Sequence, residues 1–149
     1  MESLVSNPTF QLYVAAAILL GFKLLVLANN TALTRASAGE AVNPEDKKLN
    51  KEATIVYEAG NAKTERYRRA HRNALENIPL FLITGLLLSL TQVPFVVAAA
   101  LFGSFVALRV LHSVAYVGQL QPWRTASFGL AALVQIGILG CLGYYTFAA

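Results

Sequence analysis

Arg69, Arg72, Asn73 and Glu76 lie within the run Glu65-Arg66-Tyr67-Arg68-Arg69-Ala70-His71-Arg72-Asn73-Ala74-Leu75-Glu76, which passes directly into apolar sequence. Their i, i+3, i+4, i+7 spacing puts them on one stripe of a helix. Ionisable groups at membrane depth are costly and usually face a bundle interior, where they mark a site. A second stripe follows at the same spacing logic: Arg109, His112 and Tyr116 stand at i, i+3 and i+7 in an otherwise apolar segment. Arg124 comes shortly after, at the start of the next apolar segment. Gathered at one depth, these cations outnumber the two carboxylates that can partner them, Glu76 and Asp46. The excess describes a positively charged pocket suited to an anionic ligand.

Each of these residues also has a structural reading. Arg66 and Arg68 are expected to meet lipid headgroups or solvent. Arg109 can serve as an ion-pair partner of Glu76 across the bundle, and His112 as a satisfied interior histidine. Tyr13, Tyr144, Tyr145 and Trp123 fit an interfacial aromatic belt, and Tyr116 can be read the same way. Cys141 sits in apolar sequence and reads as a small buried hydrophobe. One cysteine allows no disulfide framework and no cysteine metal site, and no HExxH or carboxylate-rich arrangement appears, so no metal is assigned.

The elements that position these residues are set by composition. Of the 149 residues, 56% are hydrophobic and 13% charged, against about 25% charged in soluble domains. The chain is therefore expected to be a single membrane domain. Its net charge of +4 is gathered in one segment without aromatic interleaving, which argues against a nucleic-acid surface. A bilayer core needs about 20 apolar residues per helix. Four spans fit, at about 8–32, 73–91, 94–118 and 123–147, with one polar loop at about 33–63. The apolar run from Phe10 to Ala28 exceeds a signal-peptide core and is preceded only by acidic Glu2, so it reads as a retained helix. Lys23, the one charge in that run, either snorkels or points into the bundle.

The loop carries Arg35, Lys47, Lys48 and Lys51 with Glu40, Glu45, Asp46, Glu52 and Glu58. Its Asn43-Pro44-Glu45-Asp46 reads as a turn or helix start with Asn43 as the cap. Thr91-Gln92-Val93-Pro94 and Gln119-Leu120-Gln121-Pro122 supply two short connections. Pro79 falls inside the second helix, where a kink is tolerated. Nine of the twelve Lys and Arg fall between Arg35 and Arg72, and Arg124 lies on the same side. The positive-inside rule then puts the long loop in the cytoplasm and both termini outside. The glycines of the fourth span, Gly129, Gly137, Gly140 and Gly143, suit close helix packing. The expected fold is all-α, an antiparallel four-helix membrane bundle.

Across Asn43-Pro44-Glu45-Asp46, Glu65 to Asn77, Arg109-Val110-Leu111-His112-Ser113-Val114-Ala115-Tyr116 and Gln121-Pro122-Trp123-Arg124, the chain resembles the family of membrane-associated proteins in eicosanoid and glutathione metabolism, MAPEG. The motifs occur in family order and, with the four spans, cover most of the chain. The resemblance implies a homotrimer that binds glutathione between neighbouring subunits, toward the cytosol. By matched position it implies that Arg35, Arg69, Arg72, Asn73, Glu76, His112, Tyr116 and Arg124 contact glutathione, that Arg124 stabilises its thiolate, and that Asp46 takes part in catalysis. Arg109 joins the binding set through its stripe.

The chemistry of the residues agrees. Arginines clamp carboxylates bidentately, while Glu76 and Asn73 can hold an ammonium or peptide groups. A free thiol with pKa about 8.5 is mostly protonated at neutral pH, and a nearby arginine raises its ionised share. The other substrate would be a hydrophobic electrophile or lipid hydroperoxide dissolved in the bilayer.

Two positions depart from the family's prostaglandin E synthase branch: Thr125 stands where that branch has serine, and Phe128 where it has tyrosine. Thr125 keeps the hydroxyl with different rotamers. The expected activity is glutathione transfer, with glutathione-dependent peroxidase activity, and prostaglandin endoperoxide isomerisation is the alternative. A lipid-binding scaffold is the non-enzyme alternative. A transporter relay through Arg109 and His112 is disfavoured, because the polar residues do not thread across the third and fourth spans. The membrane would be endoplasmic reticulum in a eukaryote and the inner membrane in a bacterium.

Overall fold

Pro8 opens the first helix because Asn7 caps it: Asn7 Oδ1 accepts from the backbone N–H of Thr9 at 2.8 Å and of Phe10 at 3.2 Å. The computed structural model describes residues 4–57 and 60–148; Glu2 and Glu58, named above, lie outside them. The helices are α1 (Pro8–Ser37), α2 (Ala62–Ser89), α3 (Phe95–Val117) and α4 (Trp123–Phe147). Short links join α2 to α3 and α3 to α4, so the four form an antiparallel bundle. Within it α1 packs mainly on α2, and α3 mainly on α4.

Helix α1 runs to Ser37, five residues past the expected end near residue 32, and carries the polar residues Asn29-Asn30-Thr31 within it. Those side chains bond back onto the helix. Asn30 Nδ2 donates to Val26 O (2.8 Å), Thr31 Oγ1 to Leu27 O (2.8 Å) and Thr34 Oγ1 to Asn30 O (2.7 Å). The helix stops where Gly39 takes φ +68°, a conformation that favours glycine. Between α1 and α2 the loop pairs two short parallel strands, β1 (Glu40–Ala41) and β2 (Thr54–Ile55), around a 3-10 turn at Pro44–Lys48.

Phe81, Phe102, Phe105, Leu20, Ile78, Leu88 and Ile138 are fully buried at the centre. Outward faces are apolar as well, with Ile18, Leu19, Phe22 and Leu25 exposed on α1 and Leu133 and Ile136 on α4. Helices α1, α3 and α4 are each long and apolar enough to cross a bilayer. Helix α2 is polar through its first half and apolar after Ile78. An apolar interior inside an apolar exterior is the pattern of a membrane helix bundle.

Tyr13 and most of the α4 glycines sit differently from their sequence reading, and Lys23 takes one of its two expected placements. Tyr13 is an inward member of the aromatic centre, not a belt residue. Its hydroxyl donates to Leu82 O at 2.9 Å, and its ring meets Phe102 edge-on at 6.3 Å. Gly85 makes room for it, since a Cβ there would come within 3.3 Å of Tyr13 Cδ2. Lys23 points inward, with Nζ buried. Of the α4 glycines, Gly137 approaches Leu101, whereas a Cβ at Gly129, Gly140 or Gly143 would meet open space among the described residues.

Candidate functional site

The site lies at the end of the bundle that carries the long loop, where α2 begins, α3 ends and α4 begins. Asn73, His112, Tyr116, Arg124, Thr125 and Phe128 line a cavity of about 240 Å³ there. Arg124 sits in the first turn of α4 with its guanidinium carbon 5.0 Å from the Tyr116 ring centroid, a cation–π arrangement. Its own carbonyl is a fixed point. Ser127 Oγ donates to it at 3.2 Å and to Trp123 O at 2.7 Å, and His112 Nδ1 lies 2.9 Å away. Because a carbonyl only accepts, Nδ1 carries the proton of that contact. The other ring nitrogen, His112 Nε2, is buried and has no partner among the described residues. The imidazole is held edge-on to Tyr116 at 5.7 Å and tilted to Phe128 at 5.8 Å.

Arg109 is fully buried one turn deeper on α3. Its Nη2 donates to Asn73 Oδ1 at 2.7 Å and to Asn73 O at 3.2 Å. The sequence offered Glu76 as its partner across the bundle. Instead Glu76 reaches Arg72 at 3.9 Å on the exposed face of α2. A seven-residue spacing fixes a face of one helix but not which residue of that face meets the neighbouring helix, and Asn73 is the one that turns inward. This contact fixes the Asn73 amide, so its oxygen serves Arg109 and its NH₂ group remains for a ligand. Arg109 itself does not line the cavity.

An Asn73→Leu variant is expected to lose about 1.5–3 kcal/mol, the usual worth of a hydrogen bond to a charged group. Adding Arg109→Met should recover much of that loss. Thermal midpoints of the wild type, both single variants and the double variant measure the coupling, and strictly additive losses would contradict it.

The remaining candidates lie at the rim of the cavity or away from it. Arg69 and Arg72 are exposed on α2. Thr125 is exposed at the rim of the cavity, with Oγ1 donating to Gln121 Oε1 at 3.2 Å. Arg35 and Asp46 line a separate groove of about 430 Å³ between the end of α1 and the loop. Asp46 closes the loop's turn by reaching back. Its Oδ2 accepts from the backbone N–H of Asn43 at 3.1 Å and of Val42 at 3.3 Å. Asn43 stands at the N-cap of this turn, as the sequence suggested, and Asp46 closes the capping box from the other side. Arg68, assigned by sequence to headgroups or solvent, holds Glu65 at 2.7 Å. Two contributors were not assigned to the site from the sequence, although Phe128 was noted as a departure from the synthase branch. Phe128 stands one turn after Arg124, and i, i+4 spacing alone would have placed it on the same face. Ser127 is fully buried beneath that turn and anchors it.

Residues 13–144 match the model of the MAPEG family. The chain belongs to the MAPEG family. Among its relatives, microsomal glutathione S-transferase 1 of Sus scrofa is 34% identical over 147 residues, covering 97% of this chain and 92% of that protein. The Rattus norvegicus protein of the same name is 35% identical over the same coverage. Prostaglandin E synthase of Homo sapiens is 36% identical over 131 residues, covering 87% of this chain and 84% of that protein. As a MAPEG protein the chain is an integral membrane helical bundle. Four of the residues that line the cavity, Asn73, His112, Tyr116 and Arg124, belong to the motifs on which the MAPEG resemblance rests.

Proposed function

We propose that the protein is a membrane-bound glutathione transferase in which Arg124 stabilises the thiolate of bound glutathione. The observation that carries this is the Arg124 guanidinium held over Tyr116 in a cavity shared with His112 and Asn73. The residues suit the tripeptide. Glutathione brings two carboxylates, one ammonium and an ionisable thiol. Among the described residues Arg69 and Arg72 have no strong partner: the Arg72–Glu76 pair is 3.9 Å apart and exposed, a geometry worth about 0–1 kcal/mol. A ligand carboxylate can displace it, leaving Glu76 to hold the ammonium. Asn73 offers its amide NH₂, and His112 Nε2 can accept a proton or hydrogen bond.

At about 240 Å³ the cavity falls below the roughly 300–1,000 Å³ usual for small-molecule sites. It holds the thiol end of the tripeptide, and further surface must hold the rest. Arg35 and Asp46 line their own groove, so all candidate residues serve one ligand only if a neighbouring copy brings that groove to the Arg124 cavity. A homotrimer with sites between subunits meets this requirement. Asp46 enters the site through Oδ1, its other oxygen being committed to the loop. In this reading all four helices cross the membrane with the long loop cytosolic, which would put the site where glutathione is available and both termini on the other side.

The chemistry is nucleophilic. Few per cent of a free thiol are ionised at pH 7. Arg124 places a fixed positive charge and hydrogen-bond donors where the sulfur's charge resides, and its position in the first turn of α4 adds the helix N-terminal dipole. The thiolate attacks the electrophilic carbon of a bilayer-dissolved substrate, a carbon–sulfur bond forms, and the leaving group departs as an anion. With a lipid hydroperoxide, two glutathiones are oxidised to the disulfide, and the peroxide is reduced to an alcohol and water.

Isomerisation of a prostaglandin endoperoxide is the second reading, favoured by the identity to prostaglandin E synthase. Product analysis separates the two. Purified protein given glutathione and a hydrophobic aryl halide is expected to form the glutathione conjugate and consume thiol. Given a prostaglandin endoperoxide, it should yield little E-type product, with a rise in Thr125→Ser. Rapid isomerisation by the wild type without conjugation would overturn the transferase reading. Absence of both activities and of glutathione binding would leave a lipid-binding scaffold.

A further inference from the structure

We infer that Glu40 is a latch that fastens the long loop to the start of α2 and so shapes the Arg35–Asp46 groove for a glutathione carboxylate. The inference rests on the glutathione reading of that groove. Glu40 stands in β1, 21 residues before Asn61, the N-cap of α2. Its Oε1 accepts the Asn61 backbone N–H at 2.6 Å, a short, charge-assisted contact. The Asn61 side chain in turn accepts from the backbone N–H of Lys63 at 2.9 Å. Two of the N–H groups that a helix start leaves open are thus met, one of them from outside the helix. The carboxylate also sits at the positive end of the α2 dipole. Gly60 closes over the contact from the other side, since a Cβ there would stand 2.6 Å from Glu40 Oε2 and 3.2 Å from its Cδ. A side chain at position 60 would push the carboxylate off the Asn61 N–H.

What the latch controls follows from where Glu40 sits. Glu40 and Arg35 line the groove of about 430 Å³ on one side. On the other they line a chamber of about 40 Å³ with Thr31, Thr64, Glu65 and Arg68. The two residues therefore stand in the wall between groove and chamber. One side of the groove is α1, through Arg35 in its last turn; the other is the loop, through Ala41, Asn43 and Asp46. Bundle packing fixes α1, whereas the loop side is placed by whatever ties the loop down. Thr54 N–H donates to Gly39 O at 2.9 Å and Val56 N–H to Ala41 O at 2.8 Å, and a strand pair this short is marginal by itself. Asp46 closes a turn within the loop. These contacts shape the loop without fastening it to the bundle, and the Glu40–Asn61 contact does fasten it. Charge in the chamber is already assigned. Glu65 holds Arg68 at 2.7 Å, and Arg35 belongs neither to that pair nor to Arg72–Glu76. With Glu40 committed to Asn61, the Arg35 guanidinium remains for a ligand carboxylate. Glu40 is thus a positioning residue that acts through the groove.

The test is glutathione binding and steady-state turnover by the full chain in phosphatidylcholine nanodiscs. Trypsin cleavage after the exposed Lys47, Lys48 and Lys51 reports release of the loop. Glu40→Ala should speed that cleavage and weaken glutathione binding about tenfold, equal to about 1.4 kcal/mol. Its turnover number at saturating glutathione should stay near wild type, because a loss of binding shared by ground and transition states raises KM alone. Glu40→Gln keeps an oxygen for the Asn61 N–H and should restore binding. Gly60→Ala, which dislodges the carboxylate from the other side, should match Glu40→Ala. In the Glu40→Ala background it should add nothing, since the two act on one contact. Additive losses in the double variant, or a Glu40→Gln as impaired as Glu40→Ala, would overturn the inference. So would a Glu40→Ala with a lowered thermal midpoint but unchanged glutathione affinity, which is the mark of a merely structural contact. Wild type that binds no glutathione would overturn the transferase reading and this inference together; wild type that binds it, with unchanged affinity in Glu40→Ala, would overturn this inference alone.

Discussion

Arg124→Ala is expected to lower the glutathione turnover number by about 100- to 1,000-fold, the loss typical when one preorganised donor to a developing anion is removed. The size of the effect follows from how Arg124 is held. Its guanidinium lies over the Tyr116 ring, while its carbonyl is the acceptor for His112 and Ser127. Alanine removes the charge and leaves those backbone contacts intact, so the loss falls on the chemistry and not on the start of α4. Steady-state kinetics with saturating glutathione measures it, with the melting midpoint as the control for folding. Arg124→Lys keeps a charge but loses the planar fork and stacking, and should fall between the two. A turnover number within a few-fold of wild type in Arg124→Ala would remove Arg124 from the mechanism.

Phe81→Ala is expected to cost about 3–5 kcal/mol of stability, as for other large aromatic deletions in closed cores. Phe81 is fully buried on α2 and stacks on Phe105 at 4.5 Å with the rings 6° from parallel. It also meets Phe102 edge-on at 5.5 Å and Tyr13 at 6.4 Å, so one ring joins α1, α2 and α3. In a bilayer the surrounding lipid is as apolar as the core, and the loss is chiefly of packing contacts. Phe81→Leu, which fills part of the space, should cost less. Thermal unfolding in a fixed detergent gives the ranking. The fraction that remains folded should still activate glutathione, because Phe81 lies outside the Arg124 cavity. An unshifted midpoint in Phe81→Ala would contradict the packing account.

The helices and their order were legible because hydropathy and the prolines Pro94 and Pro122 mark the breaks. The cavity was legible for a related reason. His112 and Tyr116 share a helical face, and Arg124 opens the next helix across a short link, so proximity along the chain carried them into one place. What remained hidden were contacts between helices that are distant in sequence. The Arg109–Asn73 pair spans 36 positions, and no spacing rule chooses Asn73 over Glu76 as the inward member of its stripe. Tyr13 looked interfacial because its partner, Leu82 O, lies 69 residues away. The first helix outruns its expected end near residue 32 because the polar side chains of its last turns bond to the helix's own carbonyls, which hydropathy does not register. Lys23 was balanced between snorkelling and pointing inward, and it points inward with Nζ buried.

Ultraviolet difference absorbance of the glutathione thiolate on the purified protein, for wild type and Arg124→Ala, tests the central claim most directly. The account predicts a thiolate band on the wild type at neutral pH, where free glutathione shows little. It predicts that Arg124→Ala binds glutathione with this band lost or shifted to more alkaline pH. Tight glutathione binding by the wild type with no thiolate band, or a band of equal strength in the variant, would contradict it.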